Sequence, residues 1–525
     1  MGKRIFPHST GLTSLVVGLL ILPVVALVMP FKAYAPPGIL YAIPSGLSNG
    51  SCDSWGNACS LHYALSVANS GEEIWVKEGV HYPGSTRTDT FSLKEGVAIY
   101  GGFTGNETSR EQRDWNINLT ILSGDIDHND ITDPYGVITN IENMVGENTF
   151  HVIVSPAVLE TAVLDGFIVT GGQANGAWAD PCDGQCGGGA YIKDSSPTLS
   201  NIIFSGNSAD LEAGWGGGVY NLHSATVMNN VVFTNNLAGA SGGGIYAENS
   251  APILTNVVFN SNSAAWGGGM ANVLSNPILH SVTFHSNNAN GVGGGMANDK
   301  SSPTLINVVF IGNNAGSGGG MENYDNSNPT LTNVVFSGNN VYSGMGGGME
   351  NSNSSPILNN VTVSGNKASM NGGGMANINS SPVIRNTLFW KNKDSGPSYR
   401  PPASIWNLES TPLITFSLVA NCGSSGAGWK SECGSDGGNN VNNNDVFNTV
   451  LVNPPNPEDA PTDTGDLHLI SDSPAIDMGN NAFVTDILTD LDGNMRIFNG
   501  LVDIGAYEWH YPTLIFLPLV MKTIP

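Results

Sequence analysis

The sequence predicts an all-β solenoid, a single-stranded parallel β-helix, and three observations predict it. Glycine triplets begin at Gly187, Gly216, Gly242, Gly267, Gly293, Gly318, Gly346 and Gly372, in steps of 25 to 29 residues along a 525-residue chain. An F-x-x-N mark keeps the same beat, from Phe204/Asn207 to Phe389/Asn392, with Val363/Asn366 as its one variant. Between the marks, short apolar bursts bounded by Gly, Pro, Asn and Ser recur, with no helical spacing over ten residues or more. A period this regular means stacked units.

One unit reads "GGGMANDKSSPTLINVVFIGNNA", Gly293 to Ala315. Three strands per repeat are expected: Pro303–Leu305, Val308–Phe310 and Gly320–Glu322. The apolar alternation slips by one residue at Asn307, with counterparts at Asn201, Asn230, Asn256, Asn333, Asn360 and Asn386. A bend is needed there, and Asn tolerates the left-handed backbone that a bend requires. Equivalent residues of successive coils stack about 4.8 Å apart. The bend asparagines then form amide ladders, and Phe, Leu/Val and the series Met270, Met296, Met321, Met349 and Met375 fill the interior. The triplets supply close backbone approach or positive φ where the chain turns into its third strand. A phosphate loop is excluded, because no G-x-x-x-x-G-K-[ST] occurs and no helix follows.

The flanks divide the chain further. Residues 1–42 read as a signal peptide and leader: Lys3 and Arg4, an apolar run from Leu12 to Met29, and Ala33-Tyr34-Ala35 as a small-x-small cleavage site, with cleavage after Ala42 as the alternative. Residues 43–186 read as an N-terminal cap and irregular first coils. Ser60 to Ala68 is the one amphipathic helix, with Leu61, Ala64, Leu65 and Ala68 on one face, suited to closing the open end of a solenoid. Regular repeats occupy 187–421. Residues 422–510 hold the last coils and a C-terminal module, and 511–525 form an apolar tail too short to span a bilayer, expected as a sorting signal or an edge strand.

The pairing of F-x-x-N with GGG[MIV] resembles the repeats of bacterial polymorphic outer-membrane proteins and right-handed β-helix surface proteins of the pectate-lyase-like superfamily. "SPAIDMGN" (Ser473–Asn480) and "TDLDGNMRIFNGLVDIGAYEW" (Thr489–Trp509) resemble the C-terminal signature of choice-of-anchor Q proteins. The resemblance implies a right-handed β-helix, secreted by a bacterium or held at its surface. It also brings polysaccharide lyases and hydrolases into consideration.

Composition narrows the partners. Net charge is −25, and the leader bases Lys3, Arg4 and Lys32 would leave the mature chain more acidic still. Nucleic acid and anionic lipid are repelled, which leaves cations, neutral sugars or proteins as partners, polysaccharide or a surface protein first, with the chain itself a monomer. Six cysteines fall into three local pairs: Cys52 with Cys59, Cys182 with Cys186, and Cys422 with Cys433. An even count behind an export signal predicts that each pair closes a short-loop disulfide.

Chemistry has few candidates. No arginine stands between Gly187 and Gly374, so a lyase base is missing from the regular coils. Glycosidases need paired carboxylates. Glu322 and Glu350 hold the same repeat position and should stack on adjacent coils, pointing outward, as two solvated carboxylates, a weak cation site or, as the catalytic alternative, an acid pair. Asp125, Asp127, Asn129, Asp130 and Asp133 in "GDIDHNDITD" alternate oxygen ligands as Ca²⁺ would require, and Asp490–Asn494 has a similar character. Trp215, Trp266 and Tyr342 could contact sugar. The sequence thus leads to a secreted or cell-surface β-helix scaffold or adhesin-like protein that binds polysaccharide or another surface without catalysis. Its rival is a lyase or hydrolase acting near Arg385, Arg400 or the 125–133 loop.

Overall fold

The computed structural model describes residues 38–510 apart from 158–160, 178–181, 183, 396–403, 443–449 and 486. The cleavage site after Ala35, the tail 511–525 and Arg400 lie outside the described residues. The first paired strand, Ile39–Leu47, spans the expected boundary at residue 42, and Ala42 is buried in the core.

Successive repeats pair in parallel and in register, Phe310 opposite Phe336 and Met296 opposite Met321. They build three sheets of the helix: a long sheet of eighteen strands, an eleven-stranded sheet carrying the methionines, and a short six-stranded sheet. Because each residue type returns at the same place, the interior is made of columns. From Phe204 to Phe336 the rings stack with centroids 4.7–5.0 Å apart and planes within 8°. Met270 to Met375 form a second column, each at most 1% exposed.

The two bursts expected as separate strands are one eight-residue strand, as in Thr304–Ile311, kinked at Asn307 with φ 55°. A single left-handed residue turns the chain while the residues on either side stay paired with the next coil. All seven predicted bend asparagines have φ between 46° and 54° or, at Asn307, 55°. Their amide ladder runs in segments: Asn256 Nδ2 donates to Asn230 Oδ1 at 3.2 Å and Asn333 Nδ2 to Asn307 Oδ1 at 3.1 Å. Ser281, at φ 56°, interrupts it. Ser281→Asn is therefore expected to join the segments and raise stability by about 0.5–1 kcal/mol, read as a higher denaturant midpoint.

The glycines act as expected. Gly318 has φ 59°, and a Cβ on Gly320 would stand 2.6 Å from the Gly348 carbonyl oxygen and 2.7 Å from Phe336 Cδ1. The short sheet, with strands such as Ser263–Trp266 and Asn314–Ser317, was not expected. Its inward column is Ala209, Ala238, Ala264, Ala289, Ala315, Val341 and Ala368, two residues after each F-x-x-N asparagine.

At the N-terminal end the helix is Leu61–Val67, capped by Ser60, whose hydroxyl accepts from Tyr63 N at 3.3 Å. Its apolar face, Leu61, Ala64 and Leu65 with Ala68, joins the main core. All three predicted disulfides form, and with the predicted partners: Cys52 with Cys59, Cys182 with Cys186, and Cys422 with Cys433. No cysteine is left free. The Cys52–Cys59 bridge ties the loop after the first strand to the entry of the capping helix, and both residues belong to the main core. Cys182 and Cys186 instead pack beside Tyr220 and Tyr246 on the outer face, while Cys422 and Cys433 close the core at its other end.

Beyond the last bridge the chain turns back. Residues from about 450 onward lie on the outer face of the long sheet, with Thr462 N donating to Gly338 O at 3.0 Å and Ala506 N to Thr362 Oγ1 at 2.9 Å. A second apolar cluster, including Val335, Leu388, Leu451, Leu467 and Ile504, sits between them. The C-terminal module thus clasps the regular coils from outside.

Candidate binding cleft

The outer face of the methionine sheet changes character along the stack. The residue after each methionine-type position points outward, and in successive coils it is Tyr191, Tyr220, Tyr246, Ala271, Ala297, Glu322, Glu350, Ala376 and Trp406. The three tyrosines stack at 5.4 and 5.6 Å, and Trp215 lies on Tyr246 at 5.3 Å. Where the column shrinks to alanine, a cleft of about 400 Å³ opens. Ala271 and Ala297 floor it, Trp266 and Tyr324 flank it, and Glu322 and Glu350 close its far end. Trp266 is 43% exposed and Tyr324 45%.

The acid pair stands in register as expected, but the expectation of solvated carboxylates is overturned. Glu322 is 5% exposed and Glu350 7%, with Trp266 lining the same cleft and the Ser317 hydroxyl bonded to Glu350, both at the ends of short-sheet strands. Each has a buried Oε2 with no hydrogen-bond partner. Burial first, and Glu350 second, push the Glu322 carboxyl well above its usual range. Burial also raises Glu350, partly offset by the Ser317 hydroxyl. The first glycine of the triplet makes room: a Cβ on Gly318 would stand 2.7 Å from Glu322 Oε2. Beside the pair, Asp299 holds Lys300 at 3.8 Å, and Lys300 reaches Asp325 at 2.9 Å.

The other candidates fare differently. Trp215 is packed among tyrosines, covering neighbouring coils. Tyr342 is half-exposed and donates to Asn290 O at 2.6 Å, outside the cleft lining. In the 125–133 loop the carboxylates serve the chain's own backbone. Asp125 accepts from Asn129 N and Asp130 N, Asp127 from Glu147 N, Asp130 from Val145 N, and Asp133 from Tyr135 N and Val137 N. Asn129 gives its amide to Asp127 at 2.9 Å. Burial raises Asp130 to about 6. Asp490 likewise closes its own loop, accepting from Asp492 N and Asn494 N. Among the described residues no group of three or more His, Cys, Asp or Glu is placed to hold a metal ion. Arg385 lies over the Phe483 ring at 4.9 Å, under the C-terminal module.

Residues 188–361 match the family described as right handed beta helix region. The regular coils of this all-β chain are accordingly a right-handed parallel β-helix. Among solved structures, the chain resembles the crystal structure of pectate lyase Pel9A at 13% identity, covering 90% of this chain and 96% of that one, with a TM-score of 0.38. No curated protein matches. The β-helix places its cleft within the matched span, where an interruption of the outward column is the signal that sequence reading could have used.

Proposed function

We propose that this β-helix is an extracellular scaffold that binds polysaccharide in the cleft between Tyr246 and Glu350. The observation carrying this reading is the pairing of exposed Trp266 and Tyr324 flanks with buried carboxyl oxygens that lack a partner. Aromatic faces pack against the apolar faces of sugar rings, and free acceptors take sugar hydroxyls. The cleft crosses the coils from Ala271 to Glu350, about 14 Å at the strand spacing, so an extended chain of rings fits its length. Three disulfides suit an oxidising compartment outside the cytosol. Elimination chemistry is less well supported, since Lys300, the cation beside the cleft, is taken by Asp299 and Asp325.

A glycan array followed by calorimetry tests the reading. Trp266→Ala should weaken binding of the selected glycan about tenfold, the effect of losing one stacking face and its burial. Unchanged affinity in that variant would remove the cleft from the account.

A further inference from the structure

We infer that the far end of the cleft is a subsite for a protonated amine, so that the polysaccharide it takes carries free amino-sugar groups. This deepens the polysaccharide reading and rests on it. The argument begins with how this protein treats its other buried acids. Glu107 accepts from the backbone of Thr104, Gly105 and Asn106. Asp503 accepts from Asp477 N and Trp509 N, and Glu508 faces Arg496. Glu322 and Glu350 have neither backbone donors nor a counter-ion of this kind; Glu350 has only the Ser317 hydroxyl. They stack in register, more than nine-tenths buried, each with an Oε2 that meets no donor, and both line the cleft.

Lys300 is the one lysine or arginine between Lys193 and Lys367. It is half-exposed and spent on Asp299 and Asp325. A buried like-charged pair without a counter-ion is costly, and burial raises both carboxyls accordingly. What would relieve it must bring positive charge and several donors to one point. A sugar hydroxyl brings one donor and no charge. A uronate brings the wrong charge. An ammonium has three N–H donors and a full charge, and can bridge two carboxylates stacked at about the 4.8 Å strand spacing. The flanking Trp266 and Tyr324 rings favour the same ion through their π faces.

The test compares three hexasaccharides by calorimetry on the full chain, in mildly acidic buffer: the glucosamine oligomer with free amines, its N-acetylated counterpart, and cellohexaose. The glucosamine oligomer should bind at least roughly tenfold tighter than the other two. Glu322→Gln and Glu350→Gln should each erase that preference, bringing the glucosamine oligomer down to the level of the other two. Glu212→Gln, an exposed acid remote from the cleft, should leave the preference intact. Ala297→Tyr places in the floor the residue that the same column holds at Tyr191, Tyr220 and Tyr246, so it should fold and block all binding.

Equal affinity for the three oligomers overturns the amine subsite while the polysaccharide reading stands. A preference that survives both glutamine variants also overturns it, as general attraction of a polycation to an acidic chain. Failure of all three to bind overturns it as well, and the Trp266→Ala comparison on the array then judges the parent reading separately.

Discussion

Replacing Asn339 by leucine is expected to destabilise the protein by about 3–5 kcal/mol, the largest effect of any single side chain in the regular coils. Asn339 lies in the column of F-x-x-N asparagines and is fully buried. Its Oδ1 accepts from Asn313 N at 3.0 Å and Asn313 Nδ2 at 2.9 Å. Its Nδ2 donates to Asn366 Oδ1 at 2.8 Å and to Phe310 O at 3.0 Å. Leucine has a similar volume and none of these groups, so the Asn313 amide and the Phe310 carbonyl are left dry and unpaired. Each such orphan costs about 1–3 kcal/mol, more than the net value of the bond lost. The next residue is the control. Asn340 is only half-buried and gives one side-chain bond, to Asn314 Oδ1 at 2.8 Å, so Asn340→Ala should cost under about 1 kcal/mol. Denaturant midpoints compare the two, and hydrogen exchange at the Asn313 amide shows whether the loss is local. Repeat arrays can open coil by coil, so protection should fall first in the coils beside residue 339.

The same column shows what periodicity makes legible. In a stack, a residue that recurs every coil meets its own kind on either side, so Phe310, Asn339 and Met321 announce partners that no other fold would give them. The bend at Asn307 is readable for the same reason. The cysteines are legible on a different ground: each of Cys59, Cys186 and Cys433 follows its partner by 11 residues or fewer, so a local loop closes whatever the rest of the chain does. The alanine column through Ala264 and Ala315 recurs just as strictly, yet a small residue gives no apolar burst, and the short sheet it lines leaves no mark in the pattern. Glu322 and Glu350 are readable in register but not in burial. Register follows from one column, whereas the walls come from other columns, Trp266 on another coil and Tyr324 two residues along the strand of Glu322 itself. The fold-back of the C-terminal module is beyond reach altogether. Contacts such as Asn333 Nδ2 to Thr489 O, at 2.8 Å across 156 residues, belong to no period.

That module is built around one buried cation. Arg496 is 1% exposed, with Nε 3.4 Å from Glu508 Oε1, and Nη2 donating to Gly505 O. Around it stand Glu508, Asp503 and Asp490, three acids against one guanidinium. Burial, only partly countered by Arg496, raises Glu508 to about 9 from 4.5, and burial raises Asp503 as well. Folding therefore holds protons that the unfolded chain releases. The stabilisation from Glu508 is complete below about 4.5 and drains away as pH rises to about 9. Arg496→Ala removes the only positive charge among these acids and should cost the module about 3–5 kcal/mol in mildly alkaline solution, less in acid, where the carboxyls are protonated. Because residues from about 450 onward touch the long sheet chiefly through one apolar cluster, the loss should stay local. Limited proteolysis should cut near residues 462–509 in the variant while the circular dichroism of the coils is retained. Glu508→Gln carries the complementary result: a neutral side chain of the same shape should flatten the alkaline fall in protease resistance. Global unfolding in Arg496→Ala, or an unchanged pH profile in Glu508→Gln, would show that the clasp is held by its apolar contacts and not by this charge cluster.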